Sequence, residues 1–240
     1  MKNFNRRAAM AMLFLSALLI SGSLGRELTR EDWAKLKKGE IVKEVRREGG
    51  TQSGSWSVKV FRHPPERMWK AICSLELYDK YMARTTVSVL LDEAVKDKAV
   101  ADPSLSADEL EKFFADMKPG YRRHHPDGTW TVYSYQRNAL PWPVGDRWVL
   151  LEITHDDKRM IQTWRRLAGN IKEDYGSWKL TPLEDGFTLG ECEIHLDLAI
   201  EATGPFVAFA MEVSLPETYR AFEAMARDFE KAEKSKPSHP

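Results

Sequence analysis

Only two of the 240 residues are cysteine, Cys73 and Cys192, too few for a disulfide scaffold or a cysteine-built zinc site. Net charge is lacking as well, with 36 Lys and Arg against 36 Asp and Glu. Without a basic excess the chain has no general attraction for a phosphate backbone, so a nucleic-acid partner is not expected. It carries no complete phosphate-binding loop, dinucleotide fingerprint, EF-hand or zinc-protease motif, and neither a cofactor nor a metal is expected. Past the N-terminus every apolar stretch is interrupted by charges, which leaves no second transmembrane candidate. What is plentiful is aromatic: 8 Trp, 10 Phe and 7 Tyr, enough to fill a core or to line a pocket. The length suits one or two domains with a sizeable core.

Residues 1–25 read MKNFNRRAAMAMLFLSALLISGSLG. Lys2, Arg6 and Arg7 form a basic head, an apolar run follows from Ala8 to Ile20, and small residues lead to Gly25, the three-part anatomy of a secretory signal peptide. Cleavage after Gly25 is expected, with a retained interfacial anchor as the alternative. The remaining chain, with 33 basic against 36 acidic residues, stays near neutrality. A periplasmic or secreted bacterial protein is the resulting expectation.

Residues 26–39 predict a short helix over Leu28 to Leu36, with Thr29 as N-cap and Gly39 as its end. Two extended pieces follow around the Gly/Ser-rich stretch Gly49 to Ser55, the second with Trp56, Val58 and Val60 alternating on one face. Pro64-Pro65 opens a helix whose Met68, Trp69, Ile72 and Leu75 share one side, and Tyr78, Tyr81 and Met82 extend that surface. Residues 85–91, TTVSVLL, return to strand composition.

Residues 94–128 read as a polar and helical insertion. Ser106 and Glu109 are spaced as a capping box, and Leu110, Phe113, Phe114 and Met117 make an apolar stripe behind them. The stripe fits a helix packed on the domain surface, or a gate over a ligand cavity built on Phe113 and Phe114. From Trp130 onward WTVYSYQ, RWVLLEI, RMIQTWRRL, GSWKLTPL and FTLGECEIHLDLAI, separated by turn residues, predict an antiparallel meander. Cys192, Ile194, Leu196 and Leu198 point inward and His195 outward. A terminal helical region from Phe206 to about Lys231 is expected to be split at Pro216, ahead of a loose tail over 233–240.

Three stretches, VKVFRHPPERMWKAICSLELYDKYM, LPWPVGDRWVLLEI and YGSWKLTPLEDGFTLGECEIHLDLAI, together with the element order, resemble the START-like superfamily that also groups Bet v 1 and the polyketide cyclase/dehydrase proteins. The resemblance covers about residues 40–232. Pro64, Pro65 and Trp69 match the first helix, Pro141 to Pro143 with Asp146 and Arg147 match a turn before a strand, and Gly176, Trp178, Leu180 and Gly186 match a later hairpin. It implies an α+β helix-grip fold in which a curved antiparallel sheet wraps a long C-terminal helix. It also implies an internal cavity for a lipid or other hydrophobic small molecule, carried with transient contact to a membrane surface.

Candidate cavity residues are Trp69, Trp130, Trp142, Arg147, Trp164, Trp178, Phe206 and Phe209, each equally able to serve as core. Arg147 could reach a ligand carboxylate, phosphate or carbonyl, or pair with Asp146. No catalytic residue stands out: His124-His125, His155 and His195 come without a nucleophile or paired acid. A cyclase, dehydratase or hydrolase-like enzyme is the runner-up to carriage, and an interaction module without a small ligand is the third reading. Cys73 and Cys192 form a disulfide after export if their geometry allows it, or else serve as small core residues.

Overall fold

The computed structural model describes residues 26–49, 52–118, 120–140, 144–198 and 204–235, with the side chains of 47–49 and 204–213 outside the description. Helix α1 (Arg30–Lys37) is followed by strands β1 (Val42–Gly49) and β2 (Gln52–Phe61), then helices α2 (Pro65–Cys73) and α3 (Tyr78–Tyr81) and strand β3 (Thr85–Leu91). Helices α4 (Glu93–Ala101) and α5 (Ala107–Glu111) lead to β4 (Arg123–His124), β5 (Trp130–Ala139), β6 (Asp146–Asp156), β7 (Ile161–Gly169), β8 (Glu173–Pro182), β9 (Thr188–Asp197) and the long α6 (Gly204–Lys234). The strands form one open, curved antiparallel sheet in the order β1-β2-β9-β8-β7-β6-β5-β3, with β4 pairing to β5. Because β1 and β3 remain edges, the sheet is not a closed barrel. It is the helix-grip architecture expected from the sequence.

Each strand alternates its side chains between two faces, and both faces are covered. On the concave face Phe61, Val132, Val149, Leu151, Ile153, Trp178, Leu180 and Cys192 pack with Tyr219, Phe222, Met225 and Ala226 of α6 and with Met68 and Ile72 of α2. Tyr219 also hydrogen-bonds Ser57 at 3.1 Å, and Lys59 pairs with Glu223 at 2.8 Å, so the polar face of β2 is pinned to the helix. On the convex face Tyr133, Tyr135, Trp148, Leu150 and Ala168 pack with Leu91, Val95, Ala99 and Leu110. The insertion is therefore the cover of the outer face. Trp56 and Val58 alternate as expected, but β2 is buried almost throughout, because α1 places Leu36 over Trp56 and Val58 while α6 takes the other side.

Local signals held where they are short-range. Thr29 caps α1 in a reciprocal capping box with Asp32, and the arginine of Arg26 beside Asp32 holds that carboxyl well below the usual range. Ser106 and Glu109 form the second capping box. The insertion opens on a helix, with Asp92 at the N-cap of α4 accepting from the Val95 N–H. Two expectations need correction. Pro216 does not split the terminal helix, which runs continuously from Gly204 to Lys234; the proline removes one N–H from the ladder, and the neighbouring Thr218 hydroxyl donates to the Ser214 carbonyl, while Leu215 and Tyr219 beside it are buried. Cys73 and Cys192 are free thiols rather than a bridge, and burial pushes both thiols up, which makes them inert core groups. Residues 1–25, Trp142 and the last five residues lie outside the described residues, and so do the side chains of Phe206 and Phe209.

Candidate functional site: a cavity between sheet and helix

The concave face and α6 do not close completely. Between them lies a cavity of about 290 Å³ whose apolar walls come from Leu151, Ile153, Trp164, Trp178, Ile194 and Leu196, with Phe222 and Tyr78 across from them. One end is polar, formed by Arg84, Asn138, Arg147, Glu217 and Thr218, and there Arg84 approaches Glu217 at 3.5 Å across the gap between the α3–β3 loop and α6.

Register explains how these residues meet. Ile153, Trp164, Gly176, Ile194 and Ser55 stand opposite one another across β6, β7, β8, β9 and β2, so they share one face. A side chain at Gly176 would collide with the Trp164 indole and the Glu193 carbonyl. Glycine there lets the indole lie across β8, and the ring nitrogen then donates to Asp174 Oδ1 at 2.8 Å. The next row contains His155, Gln162, Trp178 and Cys192. Gln162 Nε2 donates to the Ile72 carbonyl at 3.3 Å and to His155 Nε2 at 2.9 Å. A carbonyl can only accept, so the amide is oriented and the imidazole nitrogen facing it must be the acceptor.

Beyond that row, at the end away from Arg147, the His155 ring stacks on Trp130 at 3.7 Å and meets Trp69 edge-on at 5.9 Å. Both indoles donate to Asp157, at 2.9 Å from Trp69 and 3.0 Å from Trp130. This enclosed cluster leaves His155 without exposure, and burial pulls its pKa down to about 3. Because the unfolded imidazole takes up a proton near pH 6.5 and the folded one does not until about pH 3, stability must fall with acidification across that window. At pH 5 the loss attributable to this ring is about 2 kcal/mol. Urea unfolding of the protein and of His155→Gln as a function of pH measures it; equal slopes for both proteins would refute the assignment.

Of the residues singled out from sequence, Trp164, Trp178 and Arg147 come together in the cavity lining. Trp69 and Trp130 sit in the Asp157 cluster instead. Arg147 does not pair with the Asp146 carboxylate, which accepts from Arg137; its Nη1 donates to the Asp146 carbonyl at 3.0 Å. Phe113 and Phe114 are on the convex side, where Phe114 meets Tyr135 at 5.0 Å. The sheet separates them from the concave cavity, so they do not gate it. Sequence reasoning passed over Gln162 and Asp174. The signal for Asp174 was present in the alternation: it shares the inward parity of Gly176, Trp178 and Leu180, which places a carboxyl on an apolar face. His195 is on the outer face as expected, where it stacks on Tyr175 at 4.5 Å. Among the described residues no three His, Cys, Asp or Glu side chains converge as a metal-ligand set.

The architecture is START-like. A STAR-related lipid transfer protein from Xanthomonas axonopodis superposes with a TM-score of 0.54 at 17% identity, over 78% of this chain and 93% of that one. A protein of Thermus thermophilus superposes with a TM-score of 0.51 at 14% identity, over 78% and 97% respectively. At such identities the likeness is one of fold. No family model and no curated protein matches the sequence.

Proposed function

We propose that this protein binds and carries a small hydrophobic molecule in the cavity between its sheet and α6. The observation that carries the reading is that cavity itself, about 290 Å³ with mainly apolar walls and a few inward polar groups. At roughly 25 cal/mol per Å² of apolar surface removed from water, an apolar ligand gains affinity from the walls, and the polar groups set its orientation. With a water molecule's share of liquid near 30 Å³ as a scale, the space suits a ligand of about ten to fifteen non-hydrogen atoms. The START-like fold supports the same reading, since the Xanthomonas axonopodis protein is described as a lipid transfer protein. Export, as residues 1–25 suggest, would place the carrier outside the cytoplasm, where loading and release would involve transient contact with a membrane surface.

Native mass spectrometry of the protein produced through its own export route, followed by extraction of bound small molecules, tests this. A recurrent one-to-one adduct in the stated size range is expected. A protein that arrives empty, and from which no member of a panel of single-chain and aromatic compounds displaces an environment-sensitive dye, would overturn it.

A further inference from the structure

Asp174 is the one carboxylate among the cavity-lining residues set within the apolar walls, since Glu217 stands at the polar end beside Arg84. Its Oδ1 accepts from Trp164 Nε1, and among the described residues that is the hydrogen bond its carboxylate receives. A carboxylate has about four lone-pair sites, so most of this group's accepting capacity is unused. Arg166 of β7 acts on Asp174 as a nearby charge without a hydrogen bond to it: its Nη2 donates to the Gly169 carbonyl at 2.8 Å, and its buried Nε has no partner among the described residues. At the polar end Arg147 directs Nη1 to the Asp146 carbonyl while its buried Nε has no partner among the described residues, and Arg84 approaches Glu217. Gln162 turns its amide nitrogen toward Ile72 and His155. The carboxylate is thus half-buried, holds one side-chain hydrogen bond and faces the cavity.

Burial pushes its pKa up to about 6 against the opposing pull of the Trp164 bond and Arg166. At neutral pH it is still mainly an anion, with Arg166 as a partial counter-charge and a single hydrogen bond from Trp164. An anionic ligand end brought beside it would meet like charge. A donor would satisfy it.

Resting on the cavity-binding reading above, we propose that Asp174 is a specificity-determining residue that selects apolar ligands whose polar end donates a hydrogen bond, a protonated amine above a hydroxyl, and disfavours a carboxylate end. The ligand class is therefore a small apolar amine or alcohol rather than a fatty acid. A charge-assisted hydrogen bond made in place of a neutral or repulsive contact corresponds to roughly tenfold or more in affinity.

Isothermal titration of the signal-free protein with decylamine, decan-1-ol and decanoate, three chains of nearly equal size, tests the order. At neutral pH decylamine is expected to bind roughly tenfold or more tightly than decanoate, with decan-1-ol between them. Asp174→Asn keeps an acceptor for Trp164 Nε1 and is expected to fold, with the Trp164 indole resonance reporting that its bond persists. In that variant decylamine should weaken by roughly tenfold and decan-1-ol by much less, so that the three affinities converge. On the unaltered protein, acidification from pH 8 to pH 5 should weaken decylamine, which stays charged throughout, by a comparable factor. A preference for decanoate, or decylamine affinity indifferent to both Asp174→Asn and acidification, would overturn the assignment while leaving cavity binding intact. Failure of all three chains and of the dye to bind would overturn cavity binding itself.

Discussion

Leu196→Trp is expected to abolish measurable ligand binding while the domain stays folded. Leu196 lies on β9 with its side chain half-buried against the cavity, one position along the inward face from Ile194. An indole in place of its isobutyl group would occupy space that totals only about 290 Å³, and the half-buried position gives the larger ring room to settle without displacing the fully packed core around Phe222. The stability cost should stay within the ~1–3 kcal/mol of an overpacked site. Leu196→Met, which conserves volume, should cost less than about 1.5 kcal/mol and keep binding. Dye displacement and thermal melts on the two variants separate occupancy from folding. A folded Leu196→Trp protein that binds as before would show that the ligand occupies some other place.

The second large effect is on stability. Phe222 is 1% exposed, and its ring is the point where α6 grips the sheet: it meets Trp178 edge-on at 5.3 Å and Tyr78 at 5.7 Å. Truncation to alanine removes the transfer free energy of the ring and leaves a hole that joins the existing cavity, so the surroundings have little to collapse onto. Phe222→Ala should cost about 3–5 kcal/mol, which for a domain of this size lowers the melting midpoint by roughly 10 °C. The enlarged cavity should admit bulkier ligands at temperatures where the variant remains folded. Denaturant unfolding gives the cost directly, and a loss below about 1 kcal/mol would mean that α6 is held chiefly by its flanking ion pairs, such as Lys59 with Glu223.

The more exposed of those pairs carry less weight on physical grounds. Arg67 reaches Glu230 at 3.4 Å and Glu233 at 3.2 Å, and Tyr81 donates to Asp228 at 3.0 Å, but exposed pairs contribute roughly 0–1 kcal/mol each. They align the helix, whereas the row Tyr219, Phe222, Met225 and Ala226 holds it. Pro216 is tolerated on the same account, since loss of one ladder bond is small against the burial of Leu215, Tyr219, Phe222, Met225 and Ala226.

What could be read along the chain alone was whatever depends on neighbours within a few residues. The capping boxes at Thr29 and Ser106, the strand 85–91, the two short helices after Pro64 and the inward parity of Cys192, Ile194 and Leu196 all follow from local geometry and periodicity. The order of these elements together with three stretches of sequence resembled the START-like superfamily, and that resemblance implied the helix-grip fold. The tertiary structure decided which of two apolar faces each residue serves. Phe113 and Phe114 have the apolar stripe of a gate, yet a stripe gives no sign of which side of the sheet will cover it, and here it is the convex one. Trp69, Trp130, Trp164 and Trp178 are alike in sequence, but strand register sends Trp164 and Trp178 to the cavity and Trp130 to the Asp157 cluster, where Trp69 joins it from α2. Asp174 gains its character from groups far apart in the chain: the indole of Trp164 laid over Gly176, the apolar walls that strip its water, and α6 closing the space in front of it. Parity is a local property and can be counted along the chain; desolvation is the sum of everything that folds around a group, and only the assembled sheet and helix determine it.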